Sequence, residues 1–188
     1  MSYSGRTETT VAEMLAGLDP LEHAPRVTER EMLTHLRARY TKIRPGTDAD
    51  QFVRAQHVRY PQDYGHAAAI ADYIVLDTWT PHDIIGFEIK VTRSDWLTEL
   101  RDPRKAEYWR KHCHRWYLVT SHREIVRNDL PHGWGHMTLT PRGLRIITRA
   151  PALAAEPMNP SAMNSLGRSI AKTREKELTD ALAAERKA

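Results

Sequence analysis

Three residues carry the chemistry that this chain suggests: Asp72, Glu88 and Lys90. Asp72 opens an apolar run, Ala71-Asp72-Tyr73-Ile74-Val75-Leu76-Asp77, and Glu88-Ile89-Lys90 closes the next, which begins at Ile84-Ile85-Gly86-Phe87. Both runs read as β-strands. Successive side chains on a strand point to opposite faces, so Glu88 and Lys90 share one face while Phe87 and Ile89 take the other. Charges at the end of a buried strand are costly unless something pairs with them. Two carboxylates on adjacent strands beside a lysine suit a divalent cation and its neighbouring cationic group. That set is the minimum for metal-assisted cleavage of a phosphodiester.

The elements that must position these groups follow from pattern. Thr28-Glu29-Arg30-Glu31 has the form of a capping box, and Met32, Leu33, Leu36 and Tyr40 follow at helical spacing. Phe52 to Tyr60 reads as a strand ending at Pro61. A loop with Asp63 leads to strands at 70–77 and 84–90, joined by a turn containing Pro81 and Asp83. Ser94 is the expected N-cap of the next helix, with Asp95 in its first turn. Asp102-Pro103 breaks that helix and starts another, running to His112. Trp116 to Thr120 is a compact apolar strand, and two weaker strands at 135–140 and 144–148 read as a small appendix. Residues 1–27 form an N-terminal extension with a short helix from Thr10 to about Leu18. Residues 28–150 form the core, and 151–188 a linker followed by a helix with Met163, Leu166, Ile170, Leu178 and Leu182 on one side.

At 188 residues the chain can bury a single core. Charged residues make up 28% and the mean hydropathy is −0.61, so a soluble protein is expected. No run approaches the ~20 apolar residues of a membrane span, and the N-terminus lacks the apolar core of a signal peptide. The single cysteine, Cys113, allows no internal disulfide, and a cytoplasmic location is expected. The net charge is +4. Between Lys90 and Trp116, eight cationic residues face four acids, so this stretch matches the excess of the whole chain. Such a stretch can bind phosphates without base specificity. Trp96 and Trp109 lie within it; two helical tryptophans are more often core than stacking platforms. His112-Cys113-His114 lacks a second ligand pair at zinc spacing and is set aside as a metal site.

The order of elements, with Asp72 on a central strand and Glu88-Ile89-Lys90 closing the next, resembles the PD-(D/E)xK nuclease superfamily. Phe87-Glu88-Ile89-Lys90-Val91-Thr92-Arg93-Ser94-Asp95-Trp96 and Tyr108-Trp109-Arg110-Lys111-His112-Cys113-His114-Arg115-Trp116-Tyr117 look like its MmcB-like DNA-repair branch. The likeness covers residues 52–149. It implies a restriction-endonuclease-like αβββαβ core with a central mixed sheet flanked by helices. It also implies a Mg²⁺-dependent deoxyribonuclease, with Mn²⁺ as a substitute, serving DNA repair, recombination or replication processing. Asp72 and Glu88 would hold the metal with the Ile89 backbone carbonyl, and Lys90 would orient or help deprotonate water and offset charge. The first core helix often adds a glutamate; Glu31 is the best match and Glu29 the second. The first motif departs from the family name, because Ala71 rather than proline precedes Asp72, which leaves Asp63 open as a further ligand. DNA contacts are expected from Arg93, Arg104 and Lys105. DNA is the expected partner, and the family admits a homodimer. The competing readings are a DNA-binding accessory protein with little turnover and an interaction protein whose C-terminal helix recruits a protein partner.

Overall fold

The computed structural model describes residues 26–61, 69–102 and 104–186. The expected helix ending near Leu18, Asp63 and Pro103 lie outside the described residues. Within them the chain is α/β, with one six-stranded mixed sheet and four α-helices. None of these helices is long and apolar enough to cross a membrane.

Helix α1 spans Glu29–Arg39 and starts at the expected cap. Thr28 Oγ1 accepts from the Glu31 amide at 3.3 Å, and the Glu31 carboxylate accepts from the Thr28 amide at 2.6 Å. Two amides that the helix itself cannot satisfy are thereby paired. Met32, Leu33 and Leu36 recur on one side of α1 and are buried against the sheet.

Strands β1 (Phe52–Arg59), β2 (Ile70–Asp77) and β3 (Ile84–Lys90) form an antiparallel meander. Helices α2 (Arg93–Leu100) and α3 (Arg104–Arg110) then carry the chain over to β4 (Arg115–Thr120), which pairs parallel to β3. A parallel neighbour requires such a crossover. Thr92, not Ser94, caps α2: its side chain accepts from the Asp95 amide. Strands β5 (Gly135–Thr140) and β6 (Gly143–Thr148) are not an appendix. They continue the sheet in the order β1-β2-β3-β4-β5-β6, with β5 parallel to β4. Pairing with β5 satisfies the backbone groups that β4 would otherwise present as an open edge.

Alternation along the strands makes two cores. Tyr73, Val75, Phe87, Tyr117 and Val119 face α1, while Ile74, Trp116 and Leu118 face the opposite layer. Trp96 and Trp109 are buried in that second layer, so neither presents a ring for stacking on a base. Gly86 is required there, since a Cβ would sit 2.2 Å from the Trp116 ring.

Helix α4 (Pro160–Glu185) is capped by Asn159, has Pro160 in its first turn and lies across β1. Thr173 Oγ1 accepts from the Gln56 amide at 2.8 Å, and Ser165 Oγ donates to the Arg59 carbonyl. Side chains of α4 thus occupy the outer edge of the sheet. Glu177 accepts from buried Arg54 at 3.2 Å through both oxygens, and Arg54 also donates to Asp50 and the Tyr40 carbonyl. The expected apolar stripe divides. Leu166 is buried and Ile170 packs beside it, whereas Met163, Leu178 and Leu182 are more than half exposed. The stretch read as a linker is tied to the end of α3: the Leu153 amide donates to the His114 carbonyl and the Glu156 amide to that of Lys111.

Candidate active site

β2 and β3 stay paired from Leu76–Ile84 to Tyr73–Phe87. The next opposed residues in this register are Asp72 and Glu88, and there the ladder ends. Asp72 Oδ2 instead accepts from the Ile89 amide at 2.7 Å. Neighbouring residues of a strand direct their amide groups to opposite edges. The Lys90 carbonyl accepts from Ser121, on the β4 side. The Ile89 carbonyl therefore faces the opening between β2 and β3. Ile89 lines a cleft of about 320 Å³ there, together with Glu29, Asp72, Lys90, Asp95 and Glu99.

Lys90 is clamped at this opening. Its Nζ lies 2.5 Å from Glu88 Oε1 and 3.1 Å from Glu99 Oε2. Burial alone would lower the lysine's pKa, but the charges of Glu88 and Glu99 outweigh it and hold the ammonium up. Glu88 is 5% exposed. Burial pushes its carboxyl well above the usual range, and the charge of Asp72 adds to the push, against the opposing effect of Lys90. Asp72 is raised to about 6, chiefly by burial, although the Ile89 amide and Lys90 favour its charged form. A cationic lysine thus stands among more carboxylates than it can neutralise. Desolvated carboxylates crowded in this way either take up a proton or attract a cation.

A second grouping adjoins Asp72. Carboxylate oxygens of Glu29 and Asp72 and a ring nitrogen of His57 all lie within 4.8 Å of one another. His57 stands between Gln56, paired with Tyr73, and Val58, paired with Ala71, and so faces Asp72 across the strands. Its φ of 49° is in the left-handed region, an unusual conformation for a non-glycine residue in a strand. Nδ1 of His57 lies 3.7 Å from Glu29 Oε1. Oxygen donors from Asp72, Glu29 and the Ile89 carbonyl suit a hard divalent cation, and the imidazole also admits a transition metal.

The structure brings Asp72, Glu88, Ile89 and Lys90 together. It does not bring Glu31 to them: that carboxylate is bound to the Thr28 amide and hydroxyl, and Glu29 reaches Asp72 in its place. Arg93 fastens a loop, donating to the Ile125 carbonyl at 2.8 Å and pairing with Asp129 at 2.5 Å. Arg104 is exposed and paired with Asp102, and Lys105 is exposed on α3. His112 bonds Tyr60 and the Glu156 carbonyl, while His114 Nδ1 accepts from the Ile84 amide. Both histidines therefore have structural partners. Sequence reasoning missed Glu99 and His57. The i,i+4 spacing of Asp95 and Glu99 places them on one helix face without saying which way it turns, and His57 is located only by the observed β1–β2 register.

No family model matches the chain, and no curated protein matches it. Among solved structures, it is similar to the SPO1766 protein of unknown function from Silicibacter pomeroyi. The TM-score is 0.49 at 20% sequence identity, over 90% of this chain and 95% of that chain.

Proposed function

We propose that this chain is a metal-dependent deoxyribonuclease with a restriction-endonuclease-like core, acting in DNA repair, recombination or replication processing. The observation that carries the reading is the opening of β2 from β3 at Asp72 and Glu88, with Lys90 held beside them. Antiparallel β1-β2-β3, a helical crossover and parallel β4 agree with the αβββαβ order that the resemblance implies. The donor set fits Mg²⁺ or Mn²⁺, with Asp72, the Ile89 carbonyl and Glu29 as ligands and Glu88, opposite Asp72 in the register, as a further carboxylate.

A bound divalent cation would supply Lewis-acid polarisation of the phosphate and lower the pKa of its water. The protein's own groups do the rest. Lys90 stays protonated, because two acids hold its charge. An ammonium has three donors, and Glu88 and Glu99 occupy two. The third can hold the attacking water or a phosphate oxygen and offset charge that develops on the phosphate. Lys90 in this state orients and stabilises rather than accepting a proton. Asp72, raised to about 6 without a cation, would be held in its charged form by the metal it binds, so its role is that of a ligand. Phosphodiester hydrolysis of this kind leaves a 5′-phosphate and a 3′-hydroxyl in the superfamily that the chain resembles.

The test is a cleavage panel on closed circular and end-labelled linear DNA, with Mg²⁺ and with chelator. Mg²⁺-dependent scission of either substrate supports the reading, and nicking of the circle identifies an endonuclease. Binding of DNA with both substrates left intact in Mg²⁺ and Mn²⁺ would replace it with the accessory-protein reading.

A further inference from the structure

A groove with a cavity of about 390 Å³ runs between β1 and α4. Arg59 of β1 and Arg168, Lys172 and Lys176 of α4 line it, and no carboxylate does. The three α4 residues are four apart and so share one face. Each step is roughly 6 Å along the axis, about 12 Å in all. All four side chains are exposed. Lys176 pairs with Asp180 at 3.4 Å on the open surface. Arg59, Arg168 and Lys172 have no ion pair among the described residues. Like charges gathered without a counter-charge repel one another and attract a polyanion.

Two features connect this row to the candidate active site. His57 lines the groove and also belongs to the cluster with Glu29 and Asp72, so one end of the groove adjoins the acids. The helix is also fixed: the buried Arg54–Glu177 pair and the Thr173–Gln56 bond hold α4 on β1, so its cations are set in place beforehand. We propose that this groove carries the phosphodiester backbone of the DNA strand that leads into the site at Asp72 and Glu88. The inference rests on the nuclease reading for its substrate. A row of about 12 Å spans three to four nucleotides at roughly 3.4 Å per residue of a strand. Hydroxyl, guanidinium and ammonium donors are all present, and such groups bind a backbone without reading its bases. The groove takes over a role expected of Arg93, whose guanidinium is engaged with Asp129.

The experiment is fluorescence anisotropy of a labelled DNA duplex with the full chain in chelator, over a salt series. Binding is thereby read without cleavage. Arg168→Glu with Lys172→Glu is expected to weaken binding at least about tenfold. Arg168→Ala with Lys172→Ala is expected to reduce the salt slope by about 1.8, at about 0.9 for each phosphate left without its cation. Removing the same charge elsewhere, with Arg142→Ala and Arg145→Ala on the β5–β6 hairpin, is expected to leave the slope unchanged. Affinity unchanged by the charge reversal, or an equal loss in the hairpin variant, would overturn the proposal, as would absence of wild-type binding. The two readings fail separately. Groove-dependent binding without cleavage in Mg²⁺ leaves the groove standing and removes the nuclease. Cleavage in Mg²⁺ by a charge-reversed protein that binds like wild type leaves the nuclease and removes the groove.

Discussion

Replacing Asp72 with asparagine should stabilise the metal-free protein while disabling its site. Burial raises the carboxyl from 3.8 to about 6. Below about pH 4 the group is protonated in both folded and unfolded chains and contributes nothing. As pH rises through the window to about 6, the unfolded chain releases its proton while the folded chain retains it, so stability falls with pH. Above about 6 the full cost is present. About two pKa units at 1.36 kcal/mol each amount to roughly 3 kcal/mol, with about half of that at pH 5. Asparagine cannot ionise, and its carbonyl can still accept from the Ile89 amide. Asp72→Asn should therefore gain up to about 3 kcal/mol at pH 8, about half as much at pH 5 and little near pH 4. The measurement is urea unfolding followed by tryptophan fluorescence at each pH. Saturating Mg²⁺ should stabilise the wild type and close the gap, because a ligand that binds only the folded state adds to its stability. Equal stability at pH 8, or a variant less stable than wild type at every pH, would refute the account of Asp72 as a desolvated, unneutralised acid.

Two further outcomes concern the scaffold around the site. Glu29→Gln should weaken Mn²⁺ binding measured by calorimetry, whereas Glu31→Gln should leave it unchanged and loosen only the start of α1; the opposite pattern would return the ligand role to Glu31. Glu177→Ala should cost about 1–3 kcal/mol in urea unfolding, because it removes the charged hydrogen bonds that tie α4 to Arg54 and leaves Asp50 as the acid paired with that guanidinium, and a loss under about 0.5 kcal/mol would mean that α4 is not clamped there.

Much of the fold could be read from the chain because local signals agreed with the packing. The capping box at Thr28 and the apolar runs at 70–77 and 84–90 placed α1, β2 and β3 close to their observed bounds. The contribution of β5 and β6 to the main sheet was hidden, since strand pairing between distant segments leaves no local pattern. The buried face of α4 was hidden for another reason. Ser165, Thr173 and Glu177 bury polar atoms against β1, so hydrophobic periodicity pointed instead to Leu178 and Leu182, which are exposed. At the site, Asp72, Glu88 and Lys90 were legible because they interrupt buried strands. Glu29 and Glu31 competed for one place, and the capping bond decided between them: a carboxylate turned back to Thr28 cannot also reach Asp72. Glu99 and His57 come from elements whose orientation toward the opening depends on tertiary packing, which composition and spacing do not encode.

We propose that Lys90, held between Glu88 and Glu99, serves Mg²⁺-dependent hydrolysis of DNA. The most direct test is the rate of cleavage of end-labelled linear DNA by purified wild type and Lys90→Ala in Mg²⁺, with chelator as the blank. Mg²⁺-dependent cleavage by the wild type is expected, with a loss of about a hundredfold or more in the variant and its circular dichroism unchanged. Equal rates for the two proteins, or wild-type cleavage that persists in chelator, would contradict the proposal.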